Sequence, residues 1–347
     1  MKLMPPSIPV SQKTVLPYPY KPEAKNKIFD QTKIAVVIPA YKCKSSILSV
    51  LSKIGPEVNI VYVVDDGCPE GTGNYVKAKN CDPRVAVLFN EINQGVGGAV
   101  IHGYKKALEN GADIIVKIDG DGQMDPALIS SFVRPILNGH CDYTKGNRFF
   151  YLEDVKTMPK VRLFGNSVLS FMNKISSGYW NIFDPTNGFT AISSTALKNL
   201  NFEKISKRYF FESDLLFHLN LARAVVFDVP MKAKYAEEKS NLVIKKILGE
   251  FLLKHFINFN KRIFYTYFLR SFSIGSLELL VGSFLLLFGT CYGLLNWINS
   301  LETHIPATSG TVMLAALPII LGIQFLLSFL QEDIAMVPKI PLISTRG

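Results

Sequence analysis

Three aspartates and a glutamine, Asp119, Asp121, Gln123 and Asp125, close the apolar run in ADIIVKIDGDGQMDP (112–126). Asp and Gly are ordinary turn residues, and a single Asp-Gly pair is only a turn. Two in succession bring like charges together, which is unfavourable unless a cation or a hydrogen-bond network offsets them. If the chain stays extended, side chains at i and i+2 share a face, so Asp119, Asp121 and Gln123 converge. Two carboxylates and a carboxamide oxygen make a hard, all-oxygen site suited to Mg2+ or Mn2+, completed by phosphate oxygens and water. The alternative is a solvated turn.

A second acidic pair, Asp65 and Asp66, follows another apolar run in VVDDGCPEGTG. Carboxylates there can accept hydrogen bonds from a base N–H or from ribose hydroxyls, although Asp-Asp-Gly also reads as a turn. The stretch NQGVGGAVIHGYKKALENG opens a helix with glycines, either to expose backbone N–H groups to an anion or to permit close packing. It is not G-x-G-x-x-G, because Val100 stands in the last position, and no G-x-x-x-x-G-K-S/T occurs. Dinucleotide and P-loop binding are therefore unsupported.

These residues need elements to hold them. KIAVVIPAY, NIVYVVDDG, VAVLFN and DIIVKID are short β-branched runs of the kind found in strands buried on both faces. Helical spacing in KSSILSVLSKI and from about Gly95 to Asn110 separates them, which predicts an α/β sandwich on a mostly parallel sheet. Ligands of such sheets bind beyond the carboxyl ends of the strands, where Pro39, Asp65, Asp66, Asp119 and Asp121 stand. Farther on, KVRLFGNSVLSFMNKI and YFFESDLLFHLNLAR predict helices, and DPTNGFTAIS and AVVFDVPMKAKY predict strands.

The remainder of the chain has a different composition. Residues 241–270 mix Lys and Arg with Phe, Ile and Leu at helical spacing, as an interfacial helix does, or one packed on the core. Two apolar stretches within 271–331 are each long enough to span a bilayer. Their connector, NSLETHIPATSG, has no Lys or Arg, whereas Lys261, Arg262, Arg270, Lys339 and Arg346 flank them. The positive-inside rule then puts both termini in the cytoplasm. Glu278, inside the first span, either is functional or reaches the interface. Of the 347 residues, 48% are hydrophobic, and 38 Lys and Arg against 28 acids give a net charge of +10. That excess favours phosphate-bearing partners or an anionic membrane face. The basic residues cluster near the spans without a nucleic-acid motif, so nucleic acid is not among the expected partners. Five isolated cysteines without metal-ligand spacing read as reduced thiols. The first 32 residues are proline-rich and read as an extended tail rather than a signal peptide.

Taken together, VVIPAY, VVDDGCPEGT, NQGVGGAVIHGYKKALENGAD, KIDGDGQMDP, KGNRFF, DPTNGFTAIS and YFFES, in that order, resemble the family 2 inverting glycosyltransferases. The likeness is to the polyprenyl-phosphate subgroup that includes dolichyl-phosphate mannose synthase. It implies a GT-A-type, mostly parallel sheet sandwiched by helices over residues 33–240. Interfacial amphipathic helices (241–270), a transmembrane hairpin (271–331) and a cytoplasmic tail (332–347) would follow. It also implies a nucleotide-diphosphate sugar donor set against Pro39, Ala40, Tyr41, Asp65 and Asp119, with a divalent cation on Asp121 and Gln123. Arg148 and Arg162 would meet a polyprenyl-phosphate acceptor presented by the lipid bilayer. Glu212 and Asp214 would serve as base or position sugar hydroxyls. Two departures touch the phosphate: Asn166 followed by Ser167 where the family often has Ser, and Thr190 after Gly188-Phe189 where it often has Arg. Lys232, Lys234 or Lys239 are candidates to supply that charge. A polysaccharide synthase acting on a hydroxyl acceptor is the rival, but it usually carries Gln-x-x-Arg-Trp and more spans, and neither is present. A membrane-anchored binding protein with a degenerate site is a second rival, opposed by the intact Asp119, Asp121 and Gln123. Whether copies of the chain form a homo-oligomer is left open.

Overall fold

The computed structural model describes residues 31–151, 153, 160–232 and 244–343. Seven strands form one sheet: β1 (Ile34–Ala40), β2 (Ile60–Asp66), β3 (Val85–Asn90), β4 (Ile114–Lys117), β5 (Tyr143–Asn147), β6 (Thr190–Ser193) and β7 (Val226–Pro230). Their order across the sheet is β3-β2-β1-β4-β6-β5-β7. Only β6 runs against its neighbours. Two-residue alternation sorts β1 between two cores. Ile34, Val36 and Ile38 face a layer containing α1 (Ile47–Leu51) and α4 (Ile129–Leu137). Ala35 and Val37 face α3 (Val96–Glu109) and α7 (Phe211–Leu221). Two short helices, α2 (Thr72–Lys79) and α6 (Ser194–Lys198), complete the layers. This is the expected α/β sandwich, with a GT-A-like arrangement of strands.

The glycines at the start of α3 act in packing. A Cβ on Gly97 would collide with the Phe211 ring at 2.6 Å, and one on Gly103 would collide with Val37. The helix therefore lies close to both α7 and the sheet. The two backbone N–H groups just before the helix are occupied: Asp66 Oδ1 accepts from Gln94 N and Oδ2 from Gly95 N, at 3.0 and 2.8 Å.

After α5 (Lys160–Ser177) and the sheet's last strands come α8 (Ile244–Ile263) and a π-helical turn, Phe264–Arg270. The two sides of α8 differ. His255, Asn258 and Arg262 are buried against the domain, while Leu252, Leu253, Phe256 and Ile257 are exposed. Next come α9 (Ile274–Thr303) and α10 (Ser309–Ala335), an antiparallel apolar pair. At 1.5 Å per residue they are about 45 and 40 Å long, more than a hydrocarbon core requires. Small residues let their backbones approach: a Cβ on Gly289 would lie 2.8 Å from Ala315 O. Glu278 is half-buried, and its Oε1 accepts from Ser328 Oγ on α10 at 2.7 Å.

The segment after the hairpin is bound to the sheet domain. Asp142, fully buried at the start of β5, accepts Val225 N, Leu342 N and Ile343 N. Arg223 Nη1 donates to Met336 O at 2.9 Å. The described residues after the hairpin, up to Ile343, are thus bonded to the sheet domain.

His255 docks α8 by pairing Nδ1 with Ser176 Oγ at 2.7 Å, between the Phe210 and Phe251 rings. Burial, opposed by Asp214, pushes its pKa down from 6.5 to about 4. Below about 6.5 the unfolded imidazole takes a proton that the folded one refuses, so stability is complete above that pH and drains as pH falls toward 4. The expected loss between pH 7 and 5 is about 2 kcal/mol. Melting in detergent should show Tm falling over that range, and less steeply in His255→Phe. Equal slopes would mean that another group carries the acid sensitivity.

Candidate active site

The centre of the site is an ammonium group. Lys117 ends β4 in register with Val37 of β1 and Thr190 of β6, and Thr190 is in turn in register with Lys145 of β5. A row Lys117–Thr190–Lys145 therefore crosses three adjacent strands, and both lysines are buried. Lys117 Nζ bonds Asp119 Oδ1 at 2.9 Å and Glu212 Oε1 at 3.0 Å. Burial works to lower its pKa, but these two carboxylates outweigh it and hold the pKa above the ordinary lysine value. Lys145 donates to Asn187 O at 2.6 Å. Burial, only partly offset by Glu212 and Asp184, brings its pKa down to about 8. Gly188 must lack a side chain, since a Cβ there would stand 2.6 Å from Lys117 Nζ and closer still to Asp119 Oδ2.

The three aspartates separate into three roles. The strand ends at Lys117, and Gly122, at φ +80°, turns the chain, so the extended parity expected through Gln123 does not hold. Asp119 faces Lys117. Asp121, exposed, accepts Gln123 N at 2.9 Å, while Asp125 caps a short 3-10 turn by accepting Ala127 N. Ser46 Oγ fixes the turn by donating to Gly120 O at 2.7 Å. Among the described residues, no three His, Cys, Asp or Glu side chains gather as a metal site. The donor chemistry still fits a hard divalent cation: Asp119, Asp121 and Gln123 offer oxygens from one turn, leaving other positions to diphosphate and water.

Pro39 and Ala40 end β1 beside this turn, Ala40 in register with Asp65, and the Tyr41 ring is 45% exposed just beyond. Asp65 and Asp66 are both buried. Asp65 accepts Cys68 N at 2.7 Å and Gly73 N at 2.6 Å, which ties β2 to α2. Asp66, expected at the nucleotide, is committed to Asn90 Nδ2 and the start of α3. A cavity of about 510 Å3 lies over the end of β3 and α3, lined by Phe89, His102, Lys105 and Phe202 among others. None of Asp119, Asp121, Gln123, Arg148 or Glu212 lines it, so its size gives it no claim to the chemistry.

On the other side of the row, Arg148 Nε and Nη2 form a fork on Asp184 at 2.7 and 2.9 Å. Asp184 is buried, and its neighbour Asp228 accepts Asn147 Nδ2 and Phe183 N. Burial chiefly, with some help from Asp184, raises Asp228 to about 6. Arg162 stands in the first turn of α5, and its side chain lies outside what is described, as do Lys234 and Lys239. Lys232 is exposed after β7. Glu212 and Asp214 part company: Glu212 serves Lys117, whereas Asp214 accepts Ser206 N and Asn258 Nδ2, bonding α7 to α8. Sequence reasoning missed Lys117, Lys145, Asp184 and Asp228. The signal for the first was a lone Lys inside IIVKID, which a buried strand tolerates only with a partner.

A model of glycosyl transferase family 2 matches residues 35–200. A UDP-N-acetylglucosamine–dolichyl-phosphate N-acetylglucosaminyltransferase from Methanococcus voltae is 34% identical over 218 residues, 59% of this chain and 86% of that protein. The chain belongs to glycosyl transferase family 2. An undecaprenyl-phosphate mannosyltransferase from Micrococcus luteus is 28% identical over 222 residues, covering 63% of this chain and 90% of its own. Among solved structures, glucosyl-3-phosphoglycerate synthase from Mycobacterium tuberculosis, in complex with Mn2+, UDP and glucosyl-3-phosphoglycerate, aligns with a TM-score of 0.51 at 19% identity. That alignment covers 70% of this chain and 85% of the synthase, and it supports the fold. The family 2 chain is a glycosyltransferase, and its relatives act on dolichyl and undecaprenyl phosphates.

Removing the ammonium leaves two half-buried carboxylates without their partner, which costs about 1–3 kcal/mol. Lys117→Met should therefore lower Tm sharply, whereas Lys117→Met combined with Glu212→Gln should recover much of the loss. If the double variant melts no higher than the single one, the Lys117–Glu212 bond is not what stabilises this part of the sheet.

Proposed function

We propose that this glycosyltransferase moves a sugar from a nucleotide-diphosphate sugar to a polyprenyl phosphate, undecaprenyl or dolichyl, at the cytoplasmic membrane face, with inversion. One observation carries the lipid acceptor: the sheet domain and an apolar two-helix hairpin are a single packed unit. Helix α5, which begins near Arg162, exposes Phe164, Val168 and Phe171 at helical spacing, and α8 exposes Leu252, Phe256 and Ile257. An acceptor whose phosphate lies in the crevice would have its chain beside this apolar rim. The absence of Lys and Arg between the spans favours a cytoplasmic crevice.

The nucleotide is taken to lie against Pro39, Ala40, Tyr41 and Asp65, with Asp66 holding the neighbouring helix start. Asp119, Asp121 and Gln123 would hold Mg2+ or Mn2+, which, when bound, offsets the charge on the diphosphate leaving group. Lys117 keeps Asp119 in place without filling the crevice. The acceptor phosphate oxygen forms the new bond to the anomeric carbon as the bond to the diphosphate oxygen breaks on the opposite side. A phosphate is already ionised at neutral pH and needs little help from a base. Glu212, with Oε1 on Lys117, is a positioning group in this scheme. Arg148, set by Asp184, and Arg162 are assigned to the acceptor phosphate.

Full-length protein in nanodiscs containing undecaprenyl phosphate, given labelled UDP-N-acetylglucosamine, UDP-glucose and GDP-mannose in turn with Mg2+ or Mn2+, should move one label into the lipid fraction. Label entering no lipid, or entering a lipid without phosphate, would overturn the acceptor. With the active donor, Asp121→Asn should lose transfer by about 100-fold or more while keeping its Tm, as loss of a charge-stabilising group does. Near wild-type turnover at limiting metal would remove Asp121 from the cation site. Arg148→Lys should raise KM for undecaprenyl phosphate and leave nucleotide affinity, read by calorimetry, nearly unchanged. The reverse pattern would place Arg148 on the donor.

A further inference from the structure

A carboxylate near the cytoplasmic end of an apolar helix is expensive unless it is paired. Asp333, in the last turn of α10, is buried and receives four donors. Arg262 Nη1 lies 2.6 Å from Oδ1 and Nη2 3.0 Å from Oδ2. Tyr267 OH donates to Oδ1 at 2.9 Å, and Trp180 Nε1 donates to Oδ2 at 2.8 Å. The same guanidinium donates through Nε and Nη2 to Ile175 O, near the C-terminal end of α5. Helix α8, the π-helical turn, α10, α5 and the loop after α5 thus meet at one carboxylate.

That loop leads to Arg148. At Gly178 the backbone has φ +78°, and a Cβ would stand 3.0 Å from Arg262 Nη1. From there each residue is pinned in turn. Tyr179 OH donates to Ala224 O, Lys174 donates to Trp180 O, and Asn181 Nδ2 donates to Val226 O. Phe183 N donates to Asp228, and Asp184 holds the Arg148 fork. Three residues separate Trp180, bound to the hairpin, from Asp184, bound to Arg148.

We propose that Asp333, through Trp180, is a positioning residue for the acceptor half of the site, so that the seating of the hairpin sets where Arg148 meets the lipid phosphate. This rests on the reading of Arg148 as an acceptor ligand. Hairpin anchoring alone would need only apolar packing, because a buried ion pair is often no more stabilising than hydrophobic residues of the same volume. The four-donor arrangement instead fixes one orientation of α10 relative to the 178–188 loop.

The test uses full-length protein in nanodiscs, undecaprenyl phosphate as varied acceptor and the donor active in the panel above. Trp180→Phe removes one N–H and keeps an aromatic ring beside Phe171; Asp333→Asn keeps the volume and removes the charge. Trp180→Phe should raise KM for undecaprenyl phosphate about 3- to 10-fold, with donor KM and Tm nearly unchanged, the size expected for one ordinary hydrogen bond. In an Arg148→Lys background the same change should have little further effect, since the two act along one path. Asp333→Asn should show the same KM pattern if it folds, and Trp180→Phe decides the matter if it does not. A fall in Tm or in turnover without a change in lipid KM would reduce Asp333 to an anchor. Additive effects of Trp180→Phe and Arg148→Lys would break the proposed path while leaving the Arg148 assignment standing. An unchanged lipid KM in Arg148→Lys alone would overturn both.

Discussion

A lysine ammonium sealed in the middle of a seven-stranded sheet is the constraint around which the site is arranged. Alone it would be too costly to bury, and the fold answers with two carboxylates from different elements. Asp119 comes from the residues just after β4, and Glu212 from the first turn of α7. Satisfying Lys117 therefore fixes the position of α7 against the end of β4. It also explains Gly188: the strand-entry turn before β6 passes so close to the pair that a Cβ has no room. A second buried ammonium, Lys145, sits two strands away in the same row. Neighbouring strands are about 4.8 Å apart, so the lysine backbones are roughly 10 Å from each other. At that separation their repulsion is tolerable only with acceptors on both, which Glu212 and Asn187 O provide.

The hairpin is joined to this domain at both of its ends, and this makes a two-part chain behave as one body. Before the spans, Arg262 and Tyr267 bond to Asp333. After them, Leu342 and Ile343 bond to Asp142 beside β5. Strand β5 carries Lys145 and leads directly to Arg148. Between these attachments α9 and α10 expose large apolar side chains such as Phe284, Leu287 and Ile320 over most of their length. The polar bonds are thus concentrated at the domain end of the hairpin, and the apolar surface lies beyond it. A polar anchor and an apolar shaft are what a span fixed to a water-facing domain requires.

Much of this was legible in the sequence because burial on both faces leaves an unmistakable apolar run. Strands β1, β2 and β4 lie within such runs, and the start of α3 follows its glycines. Strand β5 was not legible. Its residues, Tyr-Thr-Lys-Gly-Asn, carry no such run, yet all five are buried, and Thr144, Lys145 and Asn147 each find a partner from another element. Thr144 donates to Phe132 O, Lys145 to Asn187 O, and Asn147 to Asp228. The site divides in the same way. Local spacing picks out Asp119, Asp121 and Gln123, but the turn at Gly122 defeats the extended geometry that spacing suggested. Asp66 and Asp214 look chemical in sequence, and in the fold they accept hydrogen bonds from backbone and side-chain donors that no local pattern reveals. Lys117 looks like an interruption in a strand and is central. Pairing between distant elements leaves no local pattern, which is why these assignments required the structure.

The charge balance of the donor half has a further consequence. Asp119, Asp121 and Glu212 are three carboxylates within one small region, and Lys117 is the ammonium bonded to two of them. Their formal charges leave two negative, the amount that one divalent cation offsets. Without the lysine the same region would carry three, and a cation with a diphosphate would enter a site still repelling the phosphate oxygens. With a second lysine at this point the pull on a cation would be halved. If the turn holds one cation, as proposed, the Lys117 ammonium would set its charge without occupying the crevice, because its Nζ approaches from inside the sheet while Asp121 stays exposed at the surface. Placing the compensating charge on the buried side leaves the open side to ligands, a division that a surface lysine of the same formal charge cannot provide.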